Sequence, residues 1–372
     1  MKRVAIITNI PAPYRVDLFY YLQQHTAEYE IHIIYASRNE DNRNWKVDAE
    51  KMMNSHFLDS WTIKIPRKYD TRYIHVTHGI KKMLEQLKPD LVVGSEYNPT
   101  ILQAVSDCRK WKIPYVSWTD GTLHSERNIS ILQRKFRKYV IQNADAYLAS
   151  STRAKEAQIH YGAEEAKCFI SFLTVDLNKY FVEQSVKHQR NRMICVGSLI
   201  ERKGMDLLLK ALKEVKEEYK LVIAGEGAEK AELEKLAVEL GVRDKVEFLG
   251  YLSQEELKIE YAKSGIFVLP TREDCFALVI LEAMCAGLPV ISSIYADGAY
   301  DMIREGETGY FVDPYQQREF SVCIENMLKH PDITEKMGKN ARDYLDKFSF
   351  EEVSKGFWQV FACALKKKQE RK

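Results

Sequence analysis

The stretch Phe267–Ile291, FVLPTREDCFALVILEAMCAGLPVI, concentrates residues whose types and spacing could do chemistry. Asp274 falls in a polar loop after an apolar run that ends at Pro270. Glu282 follows in an apolar helix expected to begin near Ala277, flanked by Leu281, Ala283 and Met284. A carboxylate buried in such a helix needs partners, and the hydroxyls of a sugar or a ribose are natural ones. The N–H groups at the helix start would add an anion site. The alternative is a carboxylate pair that bonds the backbone of the neighbouring loop. A second cluster, VGSLIERKG at 196–204, sets Lys203 beside another helix start, where a compact charge could neutralise a diphosphate or stand as a solvated surface lysine. In the first half of the chain, Asn9-Ile10-Pro11-Ala12-Pro13-Tyr14-Arg15 follows an apolar run. Two prolines stiffen that turn, and Arg15 at a helix start could hold an anion or be solvated.

Positioning these residues requires strands that end where the loops begin. Short β-branched runs occur at 4–8, 31–35, 91–93, 115–118 and 146–149, with segments of three- and four-residue apolar spacing between them, such as Ile80–Leu87 and Ile131–Ile141. After a polar stretch, EQSVKHQRNR at 183–192, the pattern restarts at 193–196, 220–224, 246–249, 266–269, 289–292 and 309–312, with helices expected at 203–215 and 230–240. The alternation predicts α/β architecture: two Rossmann-like, doubly wound parallel-sheet halves joined by a linker, with a ligand cleft between the carboxyl ends of the sheets. The expected domains are 1–182 and 193–349. A last helix from Phe350, with Val353, Phe357, Val360 and Phe361 apolar, is assigned back to the first domain, and the chain ends in a basic tail.

Composition excludes several classes. At 372 residues, a prior of about one domain per 150 residues fits two domains. Lys plus Arg is 55 and Asp plus Glu is 53, a net charge of +2, which argues against a nucleic-acid footprint. The seven Cys form no CxxC pair, which reads as a reducing, cytoplasmic compartment without structural zinc. No run of about 18 apolar residues predicts a membrane-spanning helix. The His residues show no HxxxH or HExxH spacing, so no metal cofactor is expected. Gly225-Glu226-Gly227 lacks a third glycine at dinucleotide spacing, which counts against an NAD or FAD enzyme.

Asp274-Cys275-Phe276-Ala277-Leu278, Glu282-Ala283, Gly287 and Pro289-Val290 resemble the Glu-Gly-Phe-Gly-Leu-x-x-x-Glu-Ala-x-x-x-Gly-x-Pro-Val pattern of the family-4 retaining glycosyltransferases of the GT-B fold. Asp274 replaces the pattern's first Glu, and Cys275 and Ala277 replace its two glycines. The 197–204 segment resembles the family's Gly-Arg-Leu-x-x-x-Lys-Gly turn, with Ser198 in place of Arg, Lys203 matching, and Arg202 available to compensate. The resemblance covers most of 193–314, including the turns at 296–298, Asp301 and 305–310. It implies a sugar transferred from a nucleoside-diphosphate sugar, UDP by family frequency, to a saccharide or lipid-linked hydroxyl, as in bacterial polysaccharide synthesis. Lys203 then meets the diphosphate, the Asp274–Leu278 loop the donor sugar, Glu282 the ribose, and Gly250-Tyr251-Leu252 the base. On the acceptor side, relatives place a His where Asp120 stands. Asp120 is expected to orient an acceptor hydroxyl or take its proton, or else to make an Asx turn before Gly121. Pro13, Tyr14, Arg15, Glu96 and His124 complete that side. The basic run Arg134-Lys135-Phe136-Arg137-Lys138 is either a solvated face or a peripheral contact with anionic lipid at the inner membrane face, with Arg67-Lys68 and 109–112 as further cations. Rival readings are an epimerase or hydrolase on the same fold and a non-catalytic sugar-nucleotide binding protein.

Overall fold

The computed structural model describes residues 1–40, 47–66, 69, 71–183 and 188–370. Linker residues 184–187, Arg67, Lys68 and the last two residues of the basic tail lie outside them. The chain divides into two compact units, one of Met1–Arg67, Thr71–Asp176 and Phe348–Lys372, the other carried by Leu177–Lys347. The first unit thus ends at 176, before the expected 182. The reason is local: the guanidinium of Arg342 donates to the Val182 carbonyl at 2.6 Å and lies 5.0 Å from the centre of the Phe181 ring, tying 177–182 to the second unit.

The first unit has strands β1 (Lys2–Thr8), β2 (Tyr29–Tyr35), β3 (Ser55–Phe57), β4 (Asp59–Pro66), β5 (Thr71–His78), β6 (Leu91–Ser95), β7 (Tyr115–Thr119), β8 (Ala146–Ala149) and β9 (Cys168–Ile170). Seven of them form a sheet in the order β3-β2-β1-β6-β7-β8-β9, all neighbours parallel. Among the described residues β4 and β5 pair only with each other, as an antiparallel ribbon that the strand runs above do not include. Alternate residues of β1 feed two cores. Val4 and Ile6 join Phe19, Trp118 and the last helix, while Ala5 and Ile7 join Val92, Ile101 and Tyr115. A strand buried on both faces reads as an unbroken apolar run. The last helix, Phe350–Glu370, packs Val353, Phe357, Val360 and Phe361 into the first of these cores, with Phe357 edge-on to Trp118 at 5.3 Å.

The second unit holds β10 (Arg192–Val196), β11 (Lys220–Ala224), β12 (Val246–Gly250), β13 (Ile266–Leu269), β14 (Val290–Ser293) and β15 (Gly309–Val312), in the order β12-β11-β10-β13-β14-β15. Its neighbours are also all parallel. In each sheet the order reverses beside the first strand, so the loops after β1 and β6, and after β10 and β13, leave adjacent carboxyl ends. Ligands of doubly wound sheets bind at such switch points. Arg15 and Glu96 follow β1 and β6, and Lys203 and Asp274 follow β10 and β13. The helix expected from Lys203 instead begins at Met205, after a 3-10 turn at Glu201–Lys203. Gly204 separates them at φ 69°, where an added Cβ would meet the Pro270 carbonyl oxygen at 2.1 Å.

Candidate active site

In the second unit, three strand-end loops are laced together by backbone bonds. Gly197 N–H donates to Ala224 O at 3.0 Å, Leu199 N–H to Glu226 O at 2.9 Å and Gly225 N–H to Gly250 O at 2.8 Å. Gly225 permits this closeness, since a Cβ there would lie 2.0 Å from Gly197 O. The loop after β13 is fastened to the same platform: Arg272 N–H and the Thr271 hydroxyl both donate to Arg202 O, at 2.8 and 2.9 Å. The Arg272 guanidinium grips both Asp206 oxygens at 2.7 and 2.8 Å and the Glu201 carbonyl at 2.6 Å. Lys203 and Asp274, 71 positions apart in sequence, are thereby brought into an ion pair of 2.6 Å, and Arg202 Nη1 lies 3.8 Å from the same carboxylate oxygen.

The other Asp274 oxygen accepts the N–H groups of Phe276 and Ala277 at 3.2 and 2.9 Å. Burial works against ionisation of Asp274, but Lys203 and Arg202 outweigh it and hold the carboxyl below its usual range. This carboxylate thus bonds the amides of its own loop, rather than a neighbouring loop's backbone, and faces two cations. The helix begins at Val279 rather than near Ala277, and the loop amides expected to face an anion are taken by Asp274. Ala277 itself sits at φ 64°, a left-handed conformation that costs an L-residue about 1 kcal/mol. A glycine in the family pattern at this position meets that demand without strain.

Glu282 is 9% exposed, and its Oε2 accepts the Tyr261 hydroxyl at 3.0 Å. Burial pushes its carboxyl up to about 7, although the hydroxyls of Tyr261 and Tyr180 pull the other way. Neither tyrosine was legible as a partner, since each lies on a separate element with no spacing relation to Glu282. Gly250 ends β12 at φ 72°, Tyr251 is 64% exposed and Leu252 is half-buried. Ser198 is exposed, Cys275 and Leu278 are half-buried, and Phe276 is buried. The turn at 296–298 supports the Asp274 loop, with Asp297 N–H donating to Asp274 O at 2.8 Å.

The first unit gathers its own polar cluster at the ends of β1, β6 and β7. Arg15 does not present an open anion site. It is 6% exposed and donates to the hydroxyls of Thr8 (3.1 Å) and Ser95 (3.0 Å) and to Asp120 Oδ2 (2.5 Å), with its guanidinium 4.4 Å from the Trp118 ring centre. Burial opposes its charge, but Asp120 leads the groups that more than offset this and hold the guanidinium firmly protonated. The Ser150 hydroxyl donates to the other Asp120 oxygen. Asp120 therefore carries a hydrogen bond on each oxygen and stands as the counter-ion of Arg15. Pro13 and Tyr14 are half-buried at the start of the helix Pro13–Gln24, and His124 is half-buried in the turn after β7. Arg137 also departs from expectation. Rather than lying on a basic surface, it is 4% exposed and faces Glu126, with Nε 2.7 Å from Oε1. Among the described residues, no group of three or more His, Cys, Asp or Glu side chains could hold a metal ion.

Comparison with known proteins places this geometry in a family. The family described as Glycosyl transferases group 1 matches residues 177–344, and the one described as Glycosyl transferase 4-like matches 14–151. An uncharacterised glycosyltransferase of Methanocaldococcus jannaschii is 32% identical over 183 residues, 48% of this chain and 47% of that protein. The alpha-D-kanosaminyltransferase of Streptomyces kanamyceticus is 31% identical over 152 residues, 40% of this chain and 39% of that protein. The match thus spans less than half the length of these two curated relatives. The crystal structure of Anabaena HepE in complex with UDP and glucose superposes with a TM-score of 0.75 at 15% identity, covering 97% of this chain and 100% of that one, a likeness of fold. With both halves matched and the two Rossmann-like sheets in place, the chain belongs to the group 1 glycosyltransferases of the GT-B fold.

Proposed function

We propose that the chain is a retaining glycosyltransferase that moves a sugar from a nucleoside-diphosphate sugar, with UDP as the nucleotide, to a hydroxyl of a saccharide or lipid-linked acceptor. The observation that carries this is the Lys203–Asp274 pair at the switch point of the second sheet, backed by Arg202, in a chain of this family. A bound diphosphate draws Lys203 and Arg202 from Asp274 to its own oxygens, where their charge meets the negative charge that develops as it departs. Asp274, still held by the amides of Phe276 and Ala277, then accepts a hydrogen bond from a donor-sugar hydroxyl. Glu282 accepts one from the ribose, and Gly250, Tyr251 and Leu252 lie against the base. Two side-chain cations give the leaving group its counter-charge, so the reading needs no metal cofactor. UDP is supported by the HepE complex, which carries that nucleotide. The test is a calorimetric titration of UDP, GDP and ADP into the full chain. UDP is expected to bind one to one, and Glu282→Ala to weaken it about tenfold, the scale of one hydrogen bond to a charged group; unchanged affinity would remove the ribose role.

The acceptor side carries a finer proposal, contact with an anionic membrane from the cytoplasmic side. On the helix Ile131–Gln142, Ile131 and Leu132 are 75% and 58% exposed, Leu123 precedes them at 43%, and Arg134, Lys135 and Lys138 are exposed beside them. Apolar side chains ringed by cations suit a lipid interface, each cation contributing about 1 kcal/mol. No helix among the described residues is long and apolar enough to cross a membrane. The protein is expected to sediment with phosphatidylglycerol-containing vesicles and not with pure phosphatidylcholine. The double variant Arg134→Glu, Lys135→Glu is expected to lose about tenfold or more in affinity; equal sedimentation with both vesicle types would contradict the contact.

A further inference from the structure

The ribbon of β4 and β5 turns its polar face inward and its apolar face outward. Residues opposite one another in an antiparallel pair share a face. One face carries Thr62, His75 and Thr77. His75 is buried there, with Nδ1 2.9 Å from the Thr62 hydroxyl and Nε2 3.1 Å from Glu40. The Thr77 and Thr100 hydroxyls lie 2.7 Å apart, which fastens this face to the helix Pro99–Trp111. The other face pairs Trp61 with Val76 and Ile63 with Ile74, and continues to Ile65. Trp61, Ile63 and Ile65 are 57%, 40% and 42% exposed. The indole N–H of Trp61 donates to His78 Nε2 at 3.3 Å, so the ring needs no further acceptor on entering an apolar medium. A half-buried antiparallel strand ordinarily does the reverse, apolar in and polar out.

Area and charge decide between a bilayer and a second copy of the chain as the cover for this face. Three side chains, each about half exposed, offer on the order of 300 Å², against roughly 800 Å² per partner in a stable complex. A bilayer asks for no such area from one element, because lipid surrounds whatever side chain enters it. Residues 59–78 carry Lys64, Arg67, Lys68 and Arg72 against Asp59 and Asp70. Two such ribbons repel each other, whereas an anionic surface attracts each of them. Tryptophan beside aliphatic residues and lysine is also the composition of a membrane-interface element. The ribbon and the helix Ile131–Gln142, which exposes Ile131 and Leu132 beside Arg134 and Lys135, pack on the same helix Pro99–Trp111.

We infer that the ribbon is a second membrane-contact element that seats Trp61, Ile63 and Ile65 in the interface of an anionic phospholipid bilayer. The inference rests on the lipid contact proposed above for the helix Ile131–Gln142. One contact leaves a bound unit free to swivel about it; two distinct contacts fix which side of the first unit meets the lipid.

Trp61 reports on its own insertion. Emission of the full chain, mixed with vesicles of phosphatidylglycerol and phosphatidylcholine, is compared with that of Trp61→Phe, and the difference isolates Trp61. That signal is expected to shift to shorter wavelength and to be quenched by lipids brominated along their acyl chains. The triple variant Trp61→Ser, Ile63→Ser, Ile65→Ser is expected to lose about tenfold or more in affinity for these vesicles, with its melting transition unchanged as the check on folding. An unquenched Trp61, or a triple variant that binds like wild type, overturns the ribbon's role. The helix contact then still stands if Arg134→Glu, Lys135→Glu releases the protein. A wild-type chain that binds no anionic vesicle overturns both. A lipid-free chain that sediments as a dimer, and as a monomer in the triple variant, assigns the face to a second copy and overturns its lipid role.

Discussion

Lys203→Ala is expected to lower turnover of the nucleotide sugar by about 10²–10³-fold, the scale of one charge contact aimed at a developing anion. The side chain is positioned for this by several independent restraints. Its stem lies over Gly197, Cδ coming 3.5 Å from where a Cβ would stand. Gly204 ends its turn, and the Thr271 hydroxyl and Arg272 N–H both donate to the carbonyl of Arg202 beside it. Removing the ammonium leaves Asp274 with Arg202 at 3.8 Å as its remaining nearby cation. The effect is expected in kcat as well as in weaker binding of the nucleotide. Lys203→Arg, which keeps a charge but not a compact one, is expected to recover part of the loss. Steady-state kinetics on purified protein decides it, and near-normal turnover in Lys203→Ala would remove the charge role assigned to this residue.

Asp120→Ala is expected to act mainly on stability. It strips a buried guanidinium of its counter-ion, and breaking one side of a buried pair costs about 3–5 kcal/mol. Arg15 keeps Thr8, Ser95 and the face of Trp118, which satisfy its shape but not its charge. For a unit of this size that loss corresponds to a melting transition lowered by roughly 10 °C, read by scanning calorimetry. Were Asp120 a free base, Asp120→Asn would abolish transfer and leave the melt in place. An unshifted transition in Asp120→Ala would favour that older expectation.

The sequence made the local features legible and left the long-range pairs hidden. Strands such as Ala146–Ala149, Lys220–Ala224 and Gly309–Val312 and the helix Ile80–Leu87 match their expected bounds, because continuous apolar runs and three-to-four spacing are properties of neighbouring residues. Lys203, Asp274 and Glu282 could be singled out because each stands at a strand end or inside an apolar helix. The Arg15–Asp120 pair spans 105 positions, and no periodicity connects its members. Arg137 is a different case: it shares a helix face with Val140 and Ile141, both buried, so helical spacing separates it from the outward Arg134, Lys135 and Lys138. The β4–β5 ribbon was also readable, since Trp61, Ile63 and Ile65 alternate with polar residues. The left-handed backbone at Ala277 was not, because its residue type argues against the conformation it adopts.

The central claim is that the second unit holds a nucleotide sugar between the Lys203 turn and Glu282. Titration calorimetry of UDP into the full chain tests it most directly. The account predicts a saturable one-to-one isotherm, weakened in both Lys203→Ala and Glu282→Ala. An isotherm without heat for UDP, GDP and ADP alike, from protein that melts cooperatively, would contradict it.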